Sequence, residues 1–167
     1  GGEHDWGSTF HLMFDNTGVG EDGATYQQFN ARIDSYKQGE DGNKFQASCW
    51  PNVQGPEFAK VDEWFHVART YDAATGAWKV YVDGVQTHDG VHEFGDPAGP
   101  FGDLDLTSPT MNALYIGGWA AIIDGVNNQD WMTFFNGSVD EVRMYNRALT
   151  DQEIGQLWQQ EKLINLE

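Results

Sequence analysis

The pattern of side chains near the middle of the chain, from Trp64 to Tyr71, divides into two alternating sets, namely Trp64, His66, Ala68 and Thr70, and Phe65, Val67, Arg69 and Tyr71. A period of two residues is typical of a β-strand with one buried face. The turn-rich stretch Asp72 to Gly76 follows, and a second strand-like segment, Trp78 to Val82, comes after it. The pattern therefore predicts a β-hairpin. Asp83-Gly84 predicts the next tight turn, because glycine tolerates the positive φ that such turns need.

Short segments with strand composition recur along the rest of the chain, separated by loops rich in Gly, Asp and Asn. They are Ser8 to Phe14, Tyr26 to Ser35, Lys44 to Trp50, Ala113 to Gly117, Met132 to Phe135 and Ser138 to Tyr145. Many short strands with turn signals between them indicate an all-β, antiparallel sandwich.

One helix is predicted, from Asp151 to Lys162, close to the C-terminus. Thr150 is a suitable N-cap, and Glu153 three residues later completes a capping box. Ile154, Leu157 and Trp158 form an apolar stripe along one face.

The composition predicts one folded domain over residues 1–167. The chain has 167 residues, of which 40% are hydrophobic and 14% aromatic, which is enough for a sizeable core. A single cysteine, Cys49, excludes an internal disulfide. No apolar run approaches the length of a membrane helix, so membrane insertion is not expected.

The strong negative charge restricts the partners. With 9 basic and 26 acidic residues, the net charge is −17. Nucleic acid is not expected as a partner, because phosphate binding relies on neutralisation by Lys and Arg. Two explanations of the acidity stay open, namely a solubilising surface and clusters of carboxylates that hold a hard cation such as calcium.

Three motifs carry a resemblance to a known family. They are W-x-H-V-A-x-T-Y-D at Trp64 to Asp72, V-Y-V-D-G at Val80 to Gly84, and F-x-G-x-V-D-E-V-R-x-Y-x-R-A-L-T at Phe135 to Thr150. Together they resemble the laminin-G-like branch of the concanavalin A-like lectin/glucanase superfamily over about the last hundred residues. The resemblance implies a two-sheet antiparallel jelly-roll sandwich with a short C-terminal helix. It is specific for the fold and does not identify an activity.

The beginning of the chain departs from the family pattern. Members usually open with a strand bearing an F-D-G-like turn, and no such strand is clear before Ser8. We therefore expect one or two opening strands to be missing from the domain. An open sheet edge of that kind would recruit a protein partner or a neighbouring subunit.

Catalysis is not expected. The hydrolase signature of this fold is E-x-D-x-x-E, and the nearest segment, Glu3 to Ser8, has Ser where the last Glu should be. Asp140 and Glu141 are adjacent, so on a strand they would point to opposite faces and could not act as a pair. His66, inside the first motif, is assigned to the structural framework.

Calcium is the expected cofactor, and the main candidate is the loop Asp124 to Asp130. Asp124, Asn127, Asn128 and Asp130 bring four oxygen-bearing side chains into this short segment. Such oxygens are the ligands that calcium prefers, and Gly125 allows the loop to bend. The alternative is an ordinary turn-forming loop of Asn and Asp.

Three more aspartates are candidate calcium ligands. Asp103 and Asp105 lie in a second acidic loop that could close on the same rim. Asp140 corresponds to an Asp that often serves a structural cation in the proteins this chain resembles. A carboxylate that accepts hydrogen bonds inside the fold is the equal alternative for Asp140.

The calcium loop is flanked by Trp119 and Trp131. Sugars stack their apolar faces on aromatic rings while amides and carboxylates bind the hydroxyls, so both tryptophans, with Asn127 and Asn128, are candidate ligand-binding residues. Packing in the core is the alternative for each tryptophan.

These features predict a non-catalytic binding module at the cell surface or outside the cell. Its function would be calcium-assisted carbohydrate binding or adhesion, with a glycan or cell-surface polysaccharide as the partner. Two other functions stay open. The first is a structural or assembly subunit that binds a protein partner, and the second is a divergent polysaccharide-degrading enzyme.

Overall fold

A computed structural model describes residues 11–32, 35–38, 44–47, 60–91, 93–94, 99–100, 116–118 and 134–164. These residues form nine strands and one helix. The strands are β1 (His11–Val19), β2 (Thr25–Arg32), β3 (Ser35–Gln38), β4 (Lys44–Ala47), β5 (Val67–Tyr71), β6 (Ala77–Val82), β7 (Val85–Val91), β8 (Glu93–Phe94) and β9 (Gly99–Pro100), and the helix is α1 (Asp151–Ile164).

All strand pairs among the described residues are antiparallel. β5, β6 and β7 form a three-stranded sheet with β6 in the middle, and β1–β2, β3–β4 and β8–β9 are two-stranded. Antiparallel neighbours are what short connections between consecutive strands produce. The prediction of an antiparallel β-fold with a C-terminal helix is confirmed for this part of the chain, while the two-sheet sandwich stays a prediction.

The predicted hairpin from Trp64 to Val82 is confirmed as β5 and β6, with Val67 opposite Val82 and Tyr71 opposite Trp78. Its turn is held by Asp72. The Asp72 Oδ1 accepts the Ala74 N–H at 2.9 Å, and the Asp72 carbonyl accepts the Gly76 N–H at 2.7 Å. A short carboxylate that binds the backbone two residues later is a common way to reverse the chain.

The predicted turn at Asp83-Gly84 joins β6 to β7. Both residues have positive φ, 50° and 76°, as a two-residue type I′ hairpin requires. Strand β7 itself was not predicted. It contains one extra residue, Thr87, between the pairs Val80–His88 and Tyr81–Gln86, and the Thr87 hydroxyl donates to the Val80 carbonyl at 3.2 Å.

The core lies where α1 packs on this sheet. Tyr81 is fully buried and forms a cluster with Leu149 and Ile154. Val80 and Val82 are also buried, at 0% and 2% exposure. Successive strand residues point to opposite faces, so β6 is covered on both faces, as in a layered fold.

The helix begins as predicted. The Thr150 N–H donates to Glu153 Oε2 at 2.8 Å, and the Glu153 N–H donates to Thr150 Oγ1 at 3.3 Å, which is a capping box. Ile154 is 3% exposed, and Leu157 packs against the core cluster. In the part of the chain that the structure describes, no helix has the length and apolarity needed to cross a bilayer.

The predicted strand Ser138 to Tyr145 is wrong. None of its residues belongs to a strand, and Glu141 has a φ of 52°, which interrupts an extended backbone. Its apolar side chains are exposed, from 48% at Val139 to 66% at Met144. The predicted strands Ala113 to Gly117 and Met132 to Phe135 fall mostly outside the described residues. Their described ends, Ile116–Gly117 and Phe134–Phe135, are not in strands.

Candidate functional site

His66 connects the hairpin to the helix. Its N–H donates to Asp83 Oδ1 at 2.9 Å, and the Asp83 N–H donates to the His66 carbonyl at 2.9 Å. This reciprocal pair fixes the entry to β5 beside the turn after β6. The imidazole then stacks on the Trp158 indole, with ring centroids 6.1 Å apart and an interplanar angle of 28°. The prediction that His66 belongs to the structural framework is consistent with these contacts.

A small charged network lies beside the imidazole. His66 Nε2 is 3.6 Å from Glu161 Oε2, and Arg143 Nη1 donates to Glu161 Oε1. The His66 and Glu161 side chains are only 15% and 11% exposed. Burial lowers the pKa of His66, although Glu161 and Asp83 act in the opposite direction. The lowered pKa favours the neutral imidazole at pH 7, and its buried Nδ1 has no hydrogen-bond partner among the described residues.

A second polar contact holds the first turn of α1 to the sheet. Asp151 Oδ1 accepts hydrogen bonds from Lys79 Nζ at 2.6 Å and from the Tyr81 hydroxyl at 2.8 Å. These donors lower the pKa of Asp151, and burial together with the Asp151 contact raises the pKa of Tyr81. Asp151 therefore anchors the first turn of α1 to the hydroxyl of Tyr81 in the core.

An open pocket of about 180 Å³ lies between residues 145–149 and the helix. We call it the helix-side pocket. Leu149 and Leu157 supply its apolar surface, and Tyr145, 49% exposed, lines it with an aromatic ring. The side-chain carboxamides of Gln156 and Gln160, one helical turn apart, also line it, and neither makes a hydrogen bond to another described residue.

Arg147 and Glu153 complete the lining of the helix-side pocket. Arg147 donates to both carboxylate oxygens of Glu153, at 2.9 and 2.6 Å. Glu153 Oε2 also accepts the N–H and hydroxyl of Thr150 at 2.8 and 3.0 Å. These contacts lower the pKa of Glu153 to about 2, with the Arg147 hydrogen bonds as the largest cause. The pocket therefore carries an ion pair that is already neutralised.

Asp140 is the predicted site residue that falls within the described part of the chain. Its side chain is exposed, and its Oδ1 accepts the N–H of the adjacent Glu141 at 2.8 Å. Glu141 in turn pairs with Arg143. The other predicted site residues lie outside the described residues; they are Asp103, Asp105, Trp119, Asp124, Asn127, Asn128, Asp130 and Trp131.

Among the described residues, no group of three or more His, Cys, Asp and Glu side chains converges in a way that could hold a metal ion. The predicted calcium loop lies outside this part of the chain, so calcium stays a prediction.

The residues of the helix-side pocket were not identified from the sequence. Gln156 and Gln160 belong to the polar side of an amphipathic helix, which normally faces solvent. Tyr145 was assigned to a strand. The available signal was the spacing of four residues between Gln156 and Gln160, which places them on one face of the helix beside Leu157. This spacing indicates a pocket only when the position of Tyr145 beside the helix is known.

Two of three comparisons with known proteins show a similarity. The Laminin_G_3 family model, of the concanavalin A-like lectin/glucanases superfamily, matches residues 5–155. A search of the curated proteins gives no match. The crystal structure of residues 221–444 of an S-layer domain-containing protein from Clostridium thermocellum is similar at 16% sequence identity, with a TM-score of 0.41. The match covers 90% of this chain and 64% of that one.

Proposed function

We propose that this chain, which belongs to the concanavalin A-like lectin/glucanase superfamily, is a non-catalytic binding module whose preferred ligand is a glycan. The family match carries the proposal, because it spans the segment from Asp103 to Trp131 in which aromatic and oxygen-bearing side chains are interleaved. Ring faces for stacking and amide or carboxylate oxygens for hydroxyls are what sugar recognition needs.

Three of the described carboxylates make contacts that are typical of a structural role. A glycosidase needs two carboxyl groups that face each other across the scissile bond. Asp140 accepts the N–H of Glu141, Glu141 pairs with Arg143, and Glu153 is bound to Arg147. These carboxylates are therefore engaged with partners on the protein.

Calcium is the proposed cofactor of the glycan site. Asp124, Asn127, Asn128 and Asp130 would supply hard oxygen ligands from one loop, and Asp103 and Asp105 from a second. The bound ion would order the loops and orient Trp119 and Trp131 toward the sugar. Asp140 is the weakest of the proposed ligands, because one of its oxygens already accepts a backbone N–H.

A protein partner is the second candidate, favoured by the exposed apolar side chains of residues 139–145. Val142, Met144 and Tyr145 are 54%, 66% and 49% exposed along one short segment. Exposed apolar patches of this kind are found at interaction surfaces. Either function would place the module at the cell surface or outside the cell, where polysaccharides and adhesive partners are found.

The test combines calcium titration, followed by tryptophan fluorescence and calorimetry, with screening on a glycan array. Asp124→Ala and Asp130→Ala are expected to weaken calcium binding and glycan capture together. Asp89→Ala is the matched control, because Asp89 is an exposed acidic residue on β7. Unchanged calcium affinity in both loop variants would remove this loop from the calcium site.

Two further measurements separate the alternatives. Mass spectrometry of polysaccharide digests would detect new reducing ends or unsaturated products, and either would replace binding by catalysis as the function. Light scattering would detect larger particles if the chain is an assembly subunit. An empty glycan array combined with such particles would favour the protein-partner function.

A further inference from the structure

We propose that the helix-side pocket is a second glycan subsite, which takes one neutral sugar ring without calcium. The class of ligand, a glycan, rests on the proposed function. The residues of this second subsite differ from those of the proposed calcium loop. The pocket is formed by residues 145–149 and α1, whereas the proposed calcium loop spans Asp124 to Asp130.

The size of the pocket suits a single ring. Its volume of about 180 Å³ is smaller than the roughly 300 Å³ at which pockets for drug-sized ligands begin. The pocket is open to solvent, so the rest of an oligosaccharide could extend away from the protein. A terminal or side-branch sugar is therefore the expected occupant.

The chemistry of the lining also fits a sugar ring. Tyr145 and Leu157 offer an aromatic and an apolar surface for the C–H face of a pyranose. Gln156 and Gln160 each carry a donor and an acceptor with no partner among the described residues. A carboxamide presents an oxygen and an NH₂ group side by side, which can bind two neighbouring hydroxyls of one sugar.

The electrostatics favour an uncharged ligand. Arg147 and Glu153 balance each other's charge through two hydrogen bonds, so the pair presents no net charge to attract a free carboxylate or ammonium group. Glu153 Oε2 accepts three hydrogen bonds, which leaves little capacity for a metal ion. The chain as a whole carries a net charge of −17, which repels acidic sugars.

The test is a titration of the ¹⁵N-labelled protein with methyl glucoside, methyl galactoside and methyl mannoside in the presence of EDTA. The side-chain NH₂ signals of Gln156 and Gln160 are expected to shift with at least one of these neutral glycosides. Glucuronic acid is expected to cause no shift. Tyr145→Ala is expected to weaken the affinity about fivefold through loss of one stacking contact, and Tyr145→Phe should retain it.

Matched variants make the readout specific. Gln160→Ala is expected to weaken binding, while Gln159→Ala, on the same helix but outside the pocket lining, should have no effect. Circular dichroism would establish that each variant keeps the helix. The same glycosides and the array-positive glycans are then tested on Asp124→Ala, which should retain the EDTA-resistant binding.

The outcomes distinguish the two proposals. If glycans bind to the wild-type chain, but EDTA abolishes all binding and Tyr145→Ala and Gln160→Ala have no effect, the helix-side subsite is rejected and the loop site stands. If the chain binds no glycan with or without calcium, both proposals are rejected.

Discussion

Gly84 lies in direct contact with the indole of Trp158. A Cβ atom added to Gly84 would be 2.9 Å from Trp158 Cδ1 and 3.0 Å from its Cβ. Gly84 also has a φ of 76°, which side chains rarely adopt. Two independent constraints therefore require glycine at the point where the turn after β6 meets the helix.

The first prediction is that Gly84→Ala destabilises the fold by about 3 kcal/mol, from the left-handed backbone and the clash together. Gly23→Ala is the matched control, because Gly23 has a φ of 77° and nothing within 4 Å of an added Cβ. This control should cost about 1 kcal/mol. Urea unfolding of both variants gives the comparison. Equal losses would mean that Trp158 moves aside and that the contact is not restrictive.

The second prediction concerns the hydrogen bond from Tyr81 to Asp151. Tyr81→Phe and Asp151→Ala should each reduce the free energy of unfolding by about 1 kcal/mol, because both remove a hydrogen bond at a buried hydroxyl. The double variant should lose less than the sum, by about 1 kcal/mol. Gln152→Ala, next to Asp151 and exposed, is the control. Strictly additive losses would show that the two side chains do not stabilise each other.

The hairpin and the helix could be predicted because their determinants are local. Strand alternation, the Asp72 to Gly76 turn, Asp83-Gly84 and the Thr150 to Glu153 capping box lie within short windows, and each specifies its own backbone geometry. Strand β7 was missed because its apolar residues, Val85 and Val91, lie at its ends and the extra residue Thr87 breaks the period of two.

The error at residues 138–145 and the missed pocket have a common cause. A strand needs a hydrogen-bonding neighbour, and the strand-forming composition of residues 138–145, with Val139, Val142 and Met144, does not say whether one is present. The pocket likewise depends on where the helix docks, because Tyr145 and Gln160 meet only through the packing of Leu149 and Ile154 on Tyr81. Tertiary contacts of this kind cannot be predicted from a short segment of the sequence.

The third prediction is that acidification weakens the fold through His66. Burial lowers its pKa in the folded state below the ordinary value of 6.5. The unfolded chain therefore binds the proton first. The stability that neutral His66 contributes is fully present above about pH 6.5 and is lost as the pH falls through the folded pKa.

The measurement is an NMR titration of the His66 imidazole together with urea unfolding at about pH 7.5 and about pH 5.5. His66→Phe keeps a ring against Trp158 and should lose less stability between these two pH values. Glu161→Gln removes the carboxylate 3.6 Å from Nε2 and should lower the His66 pKa further. A measured His66 pKa above 6.5 would contradict this prediction, because it would mean that the Glu161 charge raises the pKa by more than burial lowers it.

The fourth prediction is that Arg147 sets the ionisation of Glu153. The guanidinium, together with the N–H and hydroxyl of Thr150, holds the pKa of Glu153 at about 2 in the folded chain. A carboxylate whose pKa is lowered by folding stabilises the fold at pH values above its unfolded pKa of about 4.5, and this contribution is lost as the pH falls toward 2.

Arg147→Ala should therefore raise the Glu153 pKa toward 4.5, measured by ¹³C NMR of the side-chain carboxyl. Arg143→Ala is the control, because Arg143 pairs with Glu141 and Glu161 instead. An unchanged pKa in Arg147→Ala would show that the Thr150 cap alone keeps Glu153 ionised.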